Sequence, residues 1–550
     1  MPGYYVQNFG CRATQADGAA LERQFEERGV ARASTPAQAS IVVLNTCTVT
    51  AAADQDARAA IRRVRRKNPD AQIVVTGCYA QRAPEEIAAL PGVSFVIGNS
   101  HKHQLAEIAL RGTESPPAGT FVSIDALTSL GQRLTTDDQR PVPDGSPIFV
   151  SDIFAHTELL AAPVFDAAGP NENERTRPNL KVQDGCDNRC SFCVIPYVRG
   201  QSRSLEMSQV IREVNALVDS GYREVVISGI NLGRWGRDLA VDDQASRFAK
   251  EPSSDLSGAE ALTEKQGAIA ALKAPRHPKS NLSQNRSAIG PGGQRPTTND
   301  QRLTSLIRAI LAETSLEKLR ISSVEPMDWS DEFIALVASS PRIAKHAHVP
   351  MQSGSDAVLR RMHRKYRPWH YREKIEKIRA AMPSAAIGAD VMAGFPGETD
   401  AEFEATRRLI DELPLTYLHV FTYSARPGTP ASVMPNQVPI SLARERNAVL
   451  RELAAEKKLA FMRSFIGKTV EAITLNVVGS DDNSEFTEAL TDNYLKLHLS
   501  GRHAPNQWLS ARVEDVVDGA LAGWDERQDT NYLTRESLAS QFSARSPNIP

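Results

Sequence analysis

Short apolar runs alternate with amphipathic stretches along the first 112 residues. The apolar runs predict strands at residues 4–8, 41–45 and 72–76. The stretches between them predict helices at residues 14–28, 54–67 and 84–90, the last with a proline in its first turn. Because strands that alternate with helices are typical of parallel sheets, we expect an open parallel α/β domain over residues 1–112.

A second alternation of apolar and amphipathic segments follows over residues 179–440. It predicts six strands, at residues 180–183, 224–228, 318–322, 346–349, 386–391 and 417–423. Helical stretches separate most of these strands, which is the pattern of a partial TIM-type (β/α) barrel. Residues 441–464 predict a connecting helix, and the short alternating strands of residues 465–524 predict a small β-barrel.

Three further segments lack these patterns. Residues 113–178 are expected to be a linker, because their first part contains turn-rich text such as PPAG and RPVPDGSP. Residues 237–300 are rich in Ser, Gln, Asn, Pro and Gly, with Phe248 as their one aromatic residue, and predict a disordered insertion. The polar residues 525–550 predict a loose tail. The fold class is therefore α/β with three folded parts.

Charge and composition narrow the class of protein. The chain has 550 residues, with 64 Lys and Arg against 66 Asp and Glu, so its formal net charge is −2. A globally basic nucleic-acid binder is excluded, although local basic patches are not. No stretch approaches the roughly 18 apolar residues of a membrane span, and the first residues lack a signal-peptide pattern. We expect no membrane association and a cytoplasmic location.

The chain contains six cysteines, too few for a disulfide scaffold, and all of them lie within the first 193 residues. Cys186, Cys190 and Cys193, here called the loop triad, form a C-x3-C-x2-C pattern directly after a predicted strand. Three thiolates this close can hold one face of an iron–sulfur cluster and leave one iron open to chelate S-adenosylmethionine. The alternative is a zinc site that lacks one ligand, although zinc sites usually space their ligands as two pairs.

Cys11, Cys47 and Cys78, here called the strand-end triad, are spread along the sequence. Each of them lies two or three residues beyond a predicted strand. Because ligands of open parallel sheets bind beyond the carboxyl ends of the strands, we expect these three cysteines to converge and to hold a second, similarly open cluster. The alternative is three unrelated buried cysteines, which are common in protein cores.

The chain resembles the methylthiotransferase family of radical S-adenosylmethionine enzymes. Three stretches match the N-terminal domain of that family: NFGCRATQAD, VVLNTCTVT and VVTGCYAQ. One stretch matches its radical domain, LKVQDGCDNRCSFCVIPYVRG, and three match its later barrel strands: HVPMQSGSDAVLRRMHRKY, ADVMAGFPGET and FTYSARPGTPA. The terminal barrel resembles the RNA-binding TRAM module. The match departs at Ala13 and Thr14, where the family usually has a larger apolar residue and Asn.

The resemblance implies a chemistry that uses both triads. A 4Fe-4S cluster on the loop triad would reduce S-adenosylmethionine and release a 5′-deoxyadenosyl radical, which abstracts hydrogen from the substrate. A second, auxiliary 4Fe-4S cluster on the strand-end triad would present a sulfur, which a second S-adenosylmethionine methylates. The methylthio group is then installed on an unactivated carbon, and the protein supplies the positioning.

Within this family the substrate is a tRNA adenosine next to the anticodon or an aspartate of a ribosomal protein. The choices NTCTVT and HRKY, residues 363–366, resemble the branch that acts on N(6)-threonylcarbamoyladenosine. The alternatives are N(6)-isopentenyladenosine, the ribosomal aspartate, or a non-catalytic iron–sulfur protein that binds RNA. The implied partners are tRNA and an electron donor such as flavodoxin or ferredoxin, and we expect a monomer.

Further site residues are assigned from the strand ends and from charge. The candidates for cofactor binding lie within or just beyond the barrel strands and in the loop triad: Phe192, Ser228, Gly229, Ser323, Glu325, Gln352 and Asp390. Ordinary turn geometry or solvent exposure explains several of these residues equally well, whereas Asp390, an ionisable group in an apolar strand, needs a partner. The candidates for RNA contact combine cations with aromatic rings: Arg364, Lys365, Tyr366, Tyr494 and Lys496.

Overall fold

The structure is a computed structural model that describes residues 3–111, 146–156, 176–239, 302–481 and 484–528. The predicted insertion from residue 240 onward, the predicted tail from residue 529 and most of the predicted linker lie outside the described residues. All three domains below belong to one compact unit, residues 1–238 and 299–550, and a second unit, residues 239–298, is outside the description apart from Leu239. No helix in the described ranges is both long and apolar enough to cross a membrane.

The N-terminal domain is a parallel sheet with the strand order β2-β1-β3-β4-β5-β6. Its strands are β1 (Gly3–Asn8), β2 (Ala31–Arg32), β3 (Ile41–Thr46), β4 (Gln72–Gly77), β5 (Val93–Ile97) and β6 (Ile148–Phe149). Its helices are α1 (Arg12–Glu26), α2 (Ala51–Lys67), α3 (Cys78–Arg82), α4 (Pro84–Ala88) and α5 (Leu105–Arg111). Helices cover both faces of the sheet, so the central strand β3 is apolar along most of its length and entirely buried.

The predicted N-terminal strands are confirmed, but three strands of the sheet were not predicted. β2 and β6 have two residues each, which is too short to show a hydrophobic pattern. β5 alternates between apolar and polar residues only once, at its start. β6 comes from the segment expected to be a linker and pairs in parallel with β5. The hydroxyl of Ser146 donates to the carbonyl of Val93 at 2.5 Å and holds this segment against the domain.

The central domain is the predicted partial barrel. Its strands are β7 (Asn179–Asp184), β8 (Arg203–Ser204), β9 (Glu224–Gly229), β10 (Lys318–Ile321), β11 (His346–His348), β12 (Ala386–Ala393) and β13 (Tyr417–Thr422). Strands β7, β9 and β10 pair in parallel, as do β11, β12 and β13, and β8 is an antiparallel edge beside β7. A hydrogen bond from Val324 N to His348 O at 3.1 Å joins the two sheets.

Helices surround this barrel as the alternating pattern predicts. They are α6 (Ile195–Arg199), α7 (Met207–Asp219), α8 (Arg302–Glu313), α9 (Asp331–Ser339), α10 (Asp356–Arg361), α11 (Pro368–Ala381), α12 (Asp400–Glu412) and α13 (Ile440–Arg463). The N-terminal domain packs its helix α1 against β7. The described strands β7 and β13 do not pair with each other, so the barrel is not closed. Helix α1 covers one side of this open barrel through its contact with β7.

The C-terminal domain is a closed five-stranded barrel, as predicted. Its strands are β14 (Thr469–Asp481), β15 (Ser484–Thr491), β16 (Lys496–Ser500), β17 (Trp508–Val517) and β18 (Ala520–Asp525). Closure pairs both edges of each described strand of this barrel, so none of these strands is left as an open edge. This barrel contacts the starts of the central strands: Asn506 Nδ2 donates to Gly221 O at 2.8 Å, and Asn493 Nδ2 donates to Ser384 O at 2.9 Å.

Candidate functional site

The loop triad lies between β7 and α6, at the carboxyl end of the first barrel strand. Its three cysteines are free thiols. The loop is fixed through Ser191, whose N–H donates to Met362 O at 3.1 Å and whose hydroxyl donates to Arg361 O at 2.7 Å. The N–H of Ala431 in turn donates to Ser191 O at 2.8 Å. Segments that are distant in sequence therefore hold the three thiols on one rigid loop.

Polar hydrogens point at the sulfur atoms of this triad. The backbone N–H of Asn188 and the side-chain amide of Asn231 approach Cys186 Sγ at 3.4 and 3.7 Å. The guanidinium of Arg364 approaches Cys190 Sγ at 3.3 Å. Hydrogen bonds to ligand sulfur are a main means by which proteins tune an iron–sulfur cluster.

Electrostatics at the loop triad also favour a bound cation. Burial, and then the neighbouring charge of Cys190, raises the pKa of Cys193 to about 12. Burial likewise raises the pKa of Cys186. Thiolates packed in a buried group are stable only beside a compensating positive charge, which the iron ions of a cluster supply. The residues present therefore fit a three-cysteine iron–sulfur cluster.

The strand-end triad converges as the topology requires. β1, β3 and β4 are neighbours in register, so Asn8 lies beside Asn45 and Asn45 beside Thr76, just before each cysteine. Burial, followed by the nearby charges of Cys78 and, more weakly, Cys11, raises the pKa of Cys47 to about 12. The three thiols are free, and the charges of Cys78 and Cys11 both act on Cys47, so these residues too fit one cluster.

A glycine with positive φ precedes the first cysteine of the loop triad and two cysteines of the strand-end triad. Gly10 and Gly77 each have φ of 96°, and Gly185 has φ of 70°, values that favour glycine. A Cβ on Gly10 would lie 2.6 Å from Cys47 Cβ, and one on Gly77 or Gly185 would collide with backbone oxygen. These turns let the backbone pass close enough for the thiols to meet.

A buried ionic network joins the two triads. Arg199, at the end of α6, donates through Nη2 to Asp17 Oδ2 at 2.9 Å and through Nη1 to Asp184 Oδ1 at 3.0 Å. Lys181 in β7 bonds both carboxylates. Burial alone would raise the pKa of Asp17, but the charges of Arg199, Lys102 and Lys181 outweigh it and hold that pKa below its usual value.

A second contact joins the strand-end triad to α6. The amide of Asn99 donates to Cys78 Sγ at 3.6 Å and to Val198 O at 2.7 Å. Val198 also packs directly against Cys78. The same short helix that follows the loop triad therefore supports the strand-end triad.

The expected cofactor residues do not form one group. Glu325 forms an ion pair with Arg364, which places it beside Cys190. Ser228 is buried, and within the described residues its hydroxyl has no hydrogen-bond partner. A Cβ on Gly229 would lie 2.8 Å from Gln183 Oε1, so glycine is needed for close packing against β7. Phe192 contacts Phe395 edge to face, with ring centroids 6.4 Å apart.

The other three expected cofactor residues lie further along the barrel. The hydroxyl of Ser323 bonds His348 Nδ1 at 2.7 Å, and Asp390 Oδ1 lies 3.3 Å from His348 Nε2. Asp390 therefore lies beside His348, whose Nε2 makes no hydrogen bond among the described residues. Gln352 has φ of 63°, and its N–H donates to the carbonyl of Asp390 at 2.8 Å.

The structure buries Arg364 and Tyr366, two of the residues predicted to contact RNA. Arg364 is 8% exposed and Tyr366 is 1% exposed, because both side chains bond groups in the barrel interior. The hydroxyl of Tyr366 donates to the carbonyls of Pro350 and Met351. Lys365 between them is exposed, and so is Lys496, which pairs with Glu488 at 2.7 Å. Tyr494 is half-buried at the domain junction.

Sequence analysis missed the residues that join the triads: Asp17, Asn99, Lys181 and Arg199. Lys181 carried a detectable signal, since it is an ionisable residue inside an apolar strand, the same argument that singled out Asp390. Nothing local distinguishes Asp17, Asn99 or Arg199, because their roles arise only when the two domains pack together.

Comparisons with known proteins identify the families that this chain resembles. Residues 3–98 match the family model described as "Uncharacterized protein family UPF0004", and residues 285–410 match "Radical SAM superfamily". A relative in Bacillus subtilis (strain 168), named threonylcarbamoyladenosine tRNA methylthiotransferase MtaB, is 31% identical over 90% of this chain and 89% of its own. A relative of the same name in Aquifex aeolicus (strain VF5) is 30% identical over 90% and 96%.

Two further similarities complete the comparison. A Novosphingobium aromaticivorans relative, named tRNA-2-methylthio-N(6)-dimethylallyladenosine synthase, is 30% identical over 86% of each chain. Among solved structures, the radical S-adenosylmethionine methyltransferase TsrM of Kitasatospora setae superposes with a TM-score of 0.49 at 14% identity, covering 78% of this chain and 74% of its own.

Proposed function

Because the chain belongs to the methylthiotransferase family of radical S-adenosylmethionine enzymes, we propose that it methylthiolates N(6)-threonylcarbamoyladenosine next to the tRNA anticodon. The product carries a 2-methylthio group on the adenine ring, and two molecules of S-adenosylmethionine are used. The observation that carries this proposal is the presence of two three-cysteine sites within one compact unit.

In this proposal each triad would hold a 4Fe-4S cluster. The loop triad's cluster would supply the electron for cleavage of S-adenosylmethionine, and the strand-end triad's cluster would supply the sulfur site. Arg364 donates to Cys190 and is neutralised by Glu325, so it holds one ligand sulfur without adding net charge. Asn231 bonds Cys186 and fixes a second ligand.

The buried network of Asp17, Lys181 and Arg199 serves as a rigid spacer between the triads. A radical formed at one site must meet a substrate that receives sulfur at the other, so the separation of the sites has to be fixed. Rigid elements hold such a separation better than loops do. Here α1 begins at one cysteine of the strand-end triad, and α6 begins two residues after the loop triad.

The choice of substrate rests on sequence similarity. Relatives named for threonylcarbamoyladenosine reach 31% identity and cover nearly all of this chain. The second candidate is N(6)-isopentenyladenosine, which the Novosphingobium relative favours at nearly the same identity. The proposed partners are tRNA and a flavodoxin or ferredoxin as electron donor, with the protein acting as a monomer in the cytoplasm.

A reconstitution assay distinguishes the two substrates. The full chain is loaded anaerobically with iron and sulfide and incubated with S-adenosylmethionine, a reductant and anticodon stem-loop RNA. Three RNAs are compared, carrying threonylcarbamoyladenosine, isopentenyladenosine or unmodified adenosine at the same position. We expect the 2-methylthio mass increase on the first RNA. A product formed only on the isopentenyl RNA, or on none of them, would overturn the proposal.

A further inference from the structure

Arg12 places a cation beside the strand-end triad, at the junction of all three domains. It follows Cys11 directly and is the first residue of α1. Its carbonyl accepts a hydrogen bond from Asn179 Nδ2 at 3.0 Å, which fixes the start of α1 against β7. Its side chain is half-buried and donates through Nη2 to the hydroxyl of Tyr494, in the C-terminal barrel, at 3.1 Å.

The guanidinium of Arg12 has no carboxylate partner within the described ranges. The buried carboxylate of Glu224 pairs with Arg320 at 2.6 Å and with Arg177 at 3.7 Å. Arg320 also lies over the ring of Tyr494, 5.4 Å from its centroid. The side chain of Tyr494 therefore contacts two guanidinium groups, of which Arg320 is paired with Glu224 and Arg12 with no described carboxylate, and the unpaired charge of Arg12 favours an anionic ligand.

Three aromatic rings pack together next to this cation, and the central one, His346, is buried between the other two. Tyr494, His346 and Tyr417, here called the aromatic shelf, pack with the His346 ring 4.8 Å from Tyr494 and 5.9 Å from Tyr417. His346 Nε2 and the Tyr417 hydroxyl share a hydrogen bond of 2.6 Å, which locks the two rings. Tyr417 and Tyr494 are half-buried, and the exposed ring of His419 continues the surface 5.4 Å beyond Tyr417. A rigid aromatic surface beside a cation suits a nucleobase with an anionic substituent.

We propose that Arg12 binds the carboxylate of the threonylcarbamoyl group, while the aromatic shelf supports the modified base. The inference rests on the proposed function, which supplies this substrate. Ring chemistry supports the placement, because C2, which receives the methylthio group, and C6, which carries the substituent, flank the same nitrogen. A base whose C2 faces the strand-end triad therefore has its substituent close to the same triad, where Arg12 begins α1. An isopentenyl group has no charge for this guanidinium to bind.

Binding of anticodon stem-loop RNA to the full chain, measured anaerobically by fluorescence anisotropy, tests the assignment without turnover. The RNAs carry threonylcarbamoyladenosine or unmodified adenosine, and their ratio of dissociation constants is the selectivity. We expect Arg12→Gln to weaken binding of the modified RNA about 10- to 100-fold, the range for a hydrogen bond to a charged group, and to leave the unmodified RNA unchanged. Arg12→Lys should retain part of the selectivity, because it keeps the charge but loses the planar fork.

Controls separate this contact from the other ways in which the variant could fail. Arg408→Gln removes an exposed guanidinium on α12 and should change neither dissociation constant. Iron content must match the wild type, since Arg12 adjoins a cysteine. Equal weakening of both RNAs would assign Arg12 to a phosphate and overturn the inference, as would unchanged selectivity. A wild-type chain that does not prefer the threonylcarbamoyl RNA would instead overturn the proposed function.

Discussion

Asp17 accepts a hydrogen bond from Arg199 across the boundary between the N-terminal and central domains, with 2.9 Å between Oδ2 and Nη2. Both side chains are 2% exposed. Asp17 lies in the second turn of α1, which begins after Cys11, and Arg199 ends the helix that follows Cys193. The bond therefore couples the positions of the two triads, and removing it should affect both.

Replacing Asp17 tests how much this coupling contributes to stability. Asp17→Asn leaves the buried cations Lys102, Lys181 and Arg199 without their shared carboxylate, and breaking a buried ion pair costs about 3–5 kcal/mol. We expect a loss of this size in the free energy of unfolding at pH 7, measured by urea titration. Asp331→Asn is the matched control, because Asp331 is 72% exposed and pairs with Lys377 at the surface, so it should cost less than about 1 kcal/mol.

The loss of folding stability at acidic pH should depend on the Asp17 carboxylate. The pKa of Asp17 is lower in the folded chain than in the unfolded chain, so its ionised form stabilises the fold above the unfolded value of about 3.9. This contribution is lost as the pH falls through the folded pKa. In urea titrations between pH 7 and pH 3, the free energy of unfolding should fall less for Asp17→Asn than for the wild type. Parallel curves would show that folding does not lower the pKa of Asp17. The Asp17→Asn variant should still lose some stability as the pH falls, because the pKa of Asp184 is also lowered.

Two glycine variants distinguish the need for a positive φ from the need for space where a Cβ would lie. Gly77→Ala combines a positive φ with a collision against the backbone of Thr46, whereas Gly29→Ala has φ of 72° but nothing within 4 Å of the added Cβ. The left-handed conformation alone costs about 1–2 kcal/mol. Gly29→Ala should lose only that amount and keep its iron. Gly77→Ala should lose more and bind less iron at the strand-end triad, as measured by iron content after reconstitution.

The iron content of single cysteine variants gives the number of clusters per chain. Two four-iron clusters give about eight irons per chain after anaerobic reconstitution. Cys11→Ala and Cys190→Ala should each reduce this to about four, and the double variant should bind almost none. About four irons per wild-type chain, with no loss of iron in Cys11→Ala, would show that the strand-end triad holds no cluster.

The sequence predicted the parts of the fold that repeat a pattern over several residues. The long apolar strands β3 and β4 and the six parallel barrel strands follow directly from periodicity. The two-residue strand β6 could not be predicted, because it is specified by pairing with β5 rather than by its own residues. Local context likewise favoured an RNA contact for Arg364, since a run of cations is usually exposed, whereas tertiary packing turns its side chain inward to Cys190.

The site was predictable at the level of its cysteines and not at the level of its support. Thiol spacing and strand ends identify the two triads, because few other functions need those residues there. The positions of Arg12 and Arg199 are set by contacts between domains, to Tyr494 and to Asp17, which no local pattern encodes.

The most direct test of the proposed function is mass spectrometry of tRNA nucleosides from a strain that lacks this gene. The account predicts that 2-methylthio-N(6)-threonylcarbamoyladenosine disappears, that N(6)-threonylcarbamoyladenosine accumulates, and that the wild-type gene restores the product while a Cys190→Ala copy does not. Persistence of the methylthio product, or loss of the isopentenyl derivative in its place, would contradict it.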